Sequence, residues 1–128
     1  MDGPCREDPA GRLGRVTAEH RRRVRVDVDP EAPEGTILAA RIDGVELALI
    51  RHAHGWTATD RECPHARCSL VRDGEVVDGS VLVCNCHGSE FDLRTGEVLL
   101  DPADRPLRLR PARQSEDGTA VIIDLGFV

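Results

Sequence analysis

The chain has 128 residues, long enough for one compact core and too short for two of comfortable size. Its 31% charged and 40% hydrophobic residues are the balance of a globular domain, and a net charge of −6 leaves no basic excess of the kind that phosphate backbones select. No segment approaches the roughly 18 consecutive apolar residues of a membrane span, so neither nucleic acid nor the bilayer interior is an expected partner.

Residues 1–20 are rich in Gly, Pro and charge without a sustained period, and read as a flexible lead-in to a domain over 21–128. Met1 to Glu19 has no apolar signal region, and Arg21-Arg22-Arg23 lacks the hydrophobic stretch that should follow a twin-arginine signal, so a cytoplasmic protein is expected. The triplet runs instead into Val24-Arg25-Val26-Asp27-Val28, an alternation typical of a half-buried strand. Thr36 to Ile42 and Val45 to Arg51 flank Asp43-Gly44, a strong hairpin signal because Gly tolerates positive φ. Trp56 opens a further strand after Gly55 and is assigned to core packing. From residue 61 to about 106 the texture changes to a loop-rich insert, with turns expected at Asp73-Gly74, Asp78-Gly79 and Thr95-Gly96. Beyond it Leu107 and Leu109 alternate with arginines, and Ala120 to Leu125 closes the chain as a buried strand after a turn at Asp117-Gly118. No stretch of a dozen residues holds a 3.6-residue period, so helix should be scarce. The expected fold class is all-β, an antiparallel base carrying a small insert. Trp56, Phe91 and Phe127 are the only aromatics, so the core must be built from Val, Leu, Ile and Ala.

Five cysteines in a reducing compartment are better read as metal-binding than as a disulfide framework. Cys5 stands alone in the polar lead-in, a spare thiol. The other four lie in two groups, Cys63-Pro64-His65-Ala66-Arg67-Cys68 and Cys84-Asn85-Cys86-His87-Gly88-Ser89, with eighteen residues between His65 and Cys84. Each group offers one Cys and one His within two or three residues, which lets a single loop reach both metals of a compact cluster. Iron–sulfur chemistry uses soft thiolates, and exchanging two of them for imidazoles on one iron raises the potential. A structural zinc site uses the same donors, but zinc fingers pair Cys with Cys and His with His, whereas each pair here is mixed. The cluster is favoured and zinc stays as the alternative. His20, His52 and His54 fall outside the pattern and are given no role.

The pattern Cys-x-His…Cys-x-x-His resembles the signature of the Rieske [2Fe–2S] family, with a spacer at the long end of its range. The similarity covers roughly Arg23 to Leu125. It implies stacked antiparallel sheets with an inserted cluster-binding subdomain and one [2Fe–2S] cluster, one iron held by Cys63 and Cys84 and the other by His65 and His87. Cys68 and Cys86 look like the extra pair of the cytochrome bc-type branch, where a disulfide ties the two ligand loops together; simple Rieske ferredoxins usually lack it. Asp101-Pro102-Ala103-Asp104-Arg105-Pro106 is similar to the family's proline loop, which shields the cluster. In high-potential members a Ser hydroxyl at the position of Ser89 donates to a bridging sulfide, and a Tyr hydroxyl two residues on donates to a ligand sulfur. This chain keeps Ser89, a cofactor-binding residue on that reading, but has Phe91, so one potential-raising hydrogen bond is absent.

A domain of this kind moves electrons and does not by itself select a substrate. The reading adopted is a soluble single-electron carrier, a ferredoxin-like component serving a reductase and an oxygenase or cytochrome rather than a complete enzyme. An iron–sulfur small subunit of a multi-subunit oxidoreductase is the first alternative, which the Cys68 and Cys86 pair favours. A zinc-stabilised binding module without redox activity is the alternative from another class. A complete ring-hydroxylating oxygenase is excluded by length.

Overall fold

The computed structural model describes residues 21–64, 66–101 and 103–127. The expected lead-in over 1–20, with Cys5 and His20, lies outside the described residues, as do His65 and Pro102.

Two antiparallel sheets form the base. One joins β1 (Arg21–Asp27), β11 (Ala120–Phe127) and β10 (Ala112–Gln114) in the order β1-β11-β10. The other orders β2 (Ile37–Ile42), β3 (Val45–His52), β4 (Gly55–Asp60) and β9 (Leu109–Arg110) as β2-β3-β4-β9. The β2–β3 hairpin closes at Asp43 and Gly44, whose φ values of 51° and 82° are the pair of left-handed residues that a tight two-residue turn requires.

β3 explains how the layers stack. Side chains alternate along a strand, and a strand with cover on both faces carries a continuous apolar run. Leu47 and Leu49 point into a core shared with Val28, Ala58, Val121 and Ile123, against the first sheet. Ala48 and Ile50 point the other way, into a core shared with Cys63, Leu70, Leu82, Cys84, Phe91 and Leu93. The insert is therefore packed onto the opposite face of the same sheet. Trp56 packs half-buried against the first of these cores, as its position after Gly55 suggests.

The insert is more regular than its texture in the sequence. It holds one helical turn, α1 (Leu70–Asp73), followed by β5 (Gly74–Val77), β6 (Val81–Cys84), β7 (Ser89–Asp92) and β8 (Val98–Leu100), which form an antiparallel sheet in chain order. Strands of three or four residues are too short to show a period, which is why they read as loop. The Asp78-Gly79 and Thr95-Gly96 positions carry the positive φ values expected of turns. Asp73-Gly74 does not form one: Gly74 ends α1 with φ −80° and starts β5. Glycine is needed there for space, because a Cβ would lie 2.4 Å from the Leu70 carbonyl oxygen.

Polar contacts brace the point where the insert leaves the base and tie the two together farther along. Where the chain leaves and re-enters the base sheet, Arg110 donates twice to Asp60 Oδ1, at 3.1 and 2.9 Å, and the Asp60 N–H donates to the Arg108 carbonyl at 3.2 Å. Farther along, the His54 N–H donates to His52 Nδ1 at 3.2 Å, so His52 carries its proton on Nε2 and donates to Thr57 Oγ1 at 2.8 Å. Thr57 in turn donates to the Leu93 carbonyl in the insert at 2.8 Å.

This chain works only with His52 neutral. Burial, followed by His54, Arg51 and Arg94, lowers its pKa below the ordinary 6.5, while Glu34 raises it. The unfolded state thus takes up the proton first, so the contribution of His52 is complete above about pH 6.5 and is lost as the pH falls. We expect His52→Gln to lower stability at pH 7.5 by about 1–2 kcal/mol through the lost hydrogen bond. The same variant should flatten the decline in unfolding temperature between pH 7 and pH 5, as measured by calorimetry.

Candidate metal centre

The two ligand loops share a design. In the first, the Cys63 N–H donates to the Cys68 carbonyl at 2.9 Å, and Glu62 bridges Ser69, so the chain pairs across the two sides of this loop. In the second, Cys84 pairs with Ser89 across β6 and β7, and the Gly88 N–H donates back to the Cys84 carbonyl at 2.7 Å. Gly88 has φ 87°, which lets the four-residue tip 85–88 close. The Asn85 N–H donates to the Asp73 carbonyl at 2.8 Å, and its side chain donates to Glu75, anchoring the tip to β5. Each hairpin places a cysteine at its buried base.

Cys63 and Cys84 are both buried, 4% and 1% exposed, in the core that covers the base sheet. Burial is the main cause that pushes the Cys84 thiol up to about 11; a hydrogen bond and repulsion from Cys63 add to it, while a backbone hydrogen bond from Cys86 opposes it. Two thiolates side by side in an apolar core need a compensating cation, and soft thiolates are the donors that iron takes. The pair thus fits the iron of a cluster. His87 lies exposed at the tip of the second hairpin.

Of the residues singled out in the sequence, the structure brings Cys63 and Cys84 together, and it joins Cys68 to Cys86 in a disulfide with a Cα–Cα distance of 6.3 Å. The sulfurs of that bridge and a ring nitrogen of His87 fall within 4.8 Å of one another, which places His87 beside the covalent tie. Ser89 is fully buried, and its Oγ accepts from the Ala103 N–H at 3.0 Å. Its own hydroxyl proton is thereby free of that contact, while Ala103 is held down in the core. The sequence offers no signal for this Ser89–Ala103 bond, because fourteen residues separate the partners. Phe91 is fully buried in the same core as the two cysteines.

A buried thiol pair at the bases of two hairpins joined by a disulfide is a donor set that suits an iron–sulfur electron-transfer domain. The sequence profile of the Rieske [2Fe-2S] domain matches residues 22–111, and the chain belongs to this family. It is 33% identical over 97 residues to the ferredoxin component of the p-cumate 2,3-dioxygenase system of Pseudomonas putida, covering 75% of this chain and 80% of that one. It is 34% identical over 95 residues to the ferredoxin component of the naphthalene 1,2-dioxygenase system of Pseudomonas aeruginosa, covering 74% and 88%. Among solved structures it is similar to a chain in the complex of reduced oxygenase and oxidized ferredoxin of carbazole 1,9a-dioxygenase. That match has a TM-score of 0.66 and 28% identity over 77% of this chain and 99% of the other. The cofactor is accordingly one [2Fe–2S] cluster, and the zinc-stabilised module is set aside. Among the described residues no helix is long and apolar enough to cross a membrane.

Position 91 offers a test of how the pocket tunes its cofactor. Hydrogen bonds to cluster sulfur favour the more negative reduced state. Phe91→Tyr should raise the reduction potential, on the order of 40 mV for about 1 kcal/mol of differential stabilisation. Ser89→Ala should lower it, and should also cost about 1–3 kcal/mol of stability by leaving the Ala103 N–H buried without its acceptor. Protein-film voltammetry and thermal unfolding of the two variants measure both effects.

Proposed function

We propose that this chain is the ferredoxin component of a ring-dioxygenase system in the cytoplasm, taking one electron at a time from a reductase and passing it to an oxygenase. Cys63 and Cys84 bind one iron, and His65 and His87 bind the other. The observation that carries the ligand assignment is the Cys63–Cys84 pair: both thiols are buried, in mutual contact, and each begins a hairpin whose tip carries a histidine in sequence. The system is inferred from the relatives, whose names place them as ferredoxin components of dioxygenase systems.

When bound, the cluster supplies a one-electron couple. The chain contributes the rest. Cys63 and Cys84 hold their sulfurs away from water, which limits loss of iron by hydrolysis. Ala103, drawn onto Ser89, closes one side of the pocket. His87 lies at the surface, so a cluster held by it would be reached by a partner from that side. Electron transfer needs no substrate cleft, and its partners are proteins that present their own redox groups to that edge. The Cys68–Cys86 bridge is the observation favouring the small-subunit alternative. The relatives, named as ferredoxin components and matched over most of their length, favour the carrier.

Protein purified without chelators should contain two irons and two sulfides per chain, as the family's cluster requires. His65→Ala and His87→Ala should each abolish the Rieske-type EPR signal. Colourless protein with one zinc per chain would overturn the reading.

A further inference from the structure

The Cys68–Cys86 bridge presents two unlike sulfurs. Cys68 is 7% exposed and belongs to the core beneath the insert. Cys86 is exposed, in the 85–88 tip between Cys84 and His87. Thiol–disulfide exchange requires a thiolate to approach one sulfur along the S–S axis, from the side opposite the leaving sulfur. Of the two residues, Cys86 is the one exposed to a thiolate arriving from solvent.

The bridge also has a particular place in the fold. Each hairpin is closed by its own backbone bonds, Cys63 N–H to the Cys68 carbonyl in one and Gly88 N–H to the Cys84 carbonyl in the other. The disulfide is the covalent tie between them, spanning 18 residues of chain that include α1, β5 and β6. Opening it leaves each hairpin intact but removes the tie that limits how far the two can separate.

We infer that Cys86 is a thiol-exchange site through which dithiol reductants open the bridge and loosen the grip of the two hairpins on the cluster. In the first step a thiolate of the reductant bonds to Cys86 Sγ, the S–S bond breaks, and Cys68 Sγ leaves with the electron pair and takes up a proton. In the second step the other thiol of the reductant attacks its own sulfur in the mixed disulfide and releases Cys86 as a thiol. Two electrons and two protons pass to the protein, and the reductant becomes a disulfide. The protein thereby gains a two-electron thiol couple beside its one-electron cluster, set by the dithiol poise of its surroundings. The effect on the cluster rests on the proposed ligands Cys63, His65, Cys84 and His87; the site of attack does not.

The test uses anaerobic holoprotein. One sample is treated with glutathione, quenched in acid, unfolded, and alkylated with N-ethylmaleimide before peptide mapping. Glutathione should be found on Cys86 and the maleimide on Cys68. A second sample is titrated with dithiothreitol, and iron loss to a ferrous chelator is followed by absorbance. The opened form should lose iron on the order of tenfold faster than the bridged form, a conservative share of what a cross-link closing a loop of this size contributes. The double variant Cys68→Ser/Cys86→Ser should lose iron fast whether or not dithiothreitol is present; if it does not fold, the wild-type titration still stands. Glutathione on Cys68, a bridge that resists dithiothreitol in the folded protein, or equal iron loss from the two forms would each overturn the inference. Protein that purifies without iron would instead refute the cluster reading, and the glutathione map on that protein would still show which sulfur is attacked.

Discussion

Two thiols buried in contact set the demand around which the insert is arranged. Cys63 and Cys84 come from different hairpins and meet in an apolar core, where burial and mutual repulsion hold the Cys84 proton on well past neutral pH. Binding metal means giving up both protons, and in a low-dielectric site that is favourable only when a cation takes their place. The pair is therefore suited to serve as half of a metal centre. What surrounds it serves to keep the two sulfurs from drifting apart. β6 and β7 fix the second hairpin, α1 and the Glu62–Ser69 bridge fix the first, and β3 supplies the floor through Ala48 and Ile50.

That floor is shared. Because β3 sends alternate side chains into two cores, a change in packing on the base side is felt by the sheet on which the cluster pocket rests. Polar contacts between base and insert include the His52–Thr57–Leu93 relay, the Ala53 N–H donating to the Gly79 carbonyl, and the Arg61 N–H donating to the Glu46 carbonyl, while the Asp60–Arg110 clamp closes the base where the insert leaves and returns. The insert thus stands on the base through a shared apolar core and these polar ties.

Much of the fold was legible in the sequence because the base strands are long enough to show their pattern. Val24 to Val28 alternates, Asp43-Gly44 is followed by an apolar run, and the structure makes that run the doubly buried β3. The insert was less legible. Its strands of three or four residues carry no period, and Gly74 reads as a turn although it is an extended residue kept small by the Leu70 carbonyl. At the site, Cys and His spacing pointed to the proposed ligands, of which the structure brings Cys63 and Cys84 together, and the pairing of Cys68 with Cys86 followed from the family resemblance. The Ser89–Ala103 bond and the Thr57–Leu93 step of the relay could not be foreseen, since each joins residues that only the tertiary fold brings near. His52 in particular carries no motif; its role comes from burial.

The central claim is that the two irons have unlike ligands, cysteine sulfur on one and histidine nitrogen on the other. Electron–nuclear double resonance on the reduced protein, compared between natural-abundance and nitrogen-15 histidine labelling, measures this directly. The expected result is two strongly coupled histidine nitrogens on the reduced cluster, both of which change with the label. A reduced cluster with no histidine nitrogen coupling would contradict it, because both irons would then be held by sulfur.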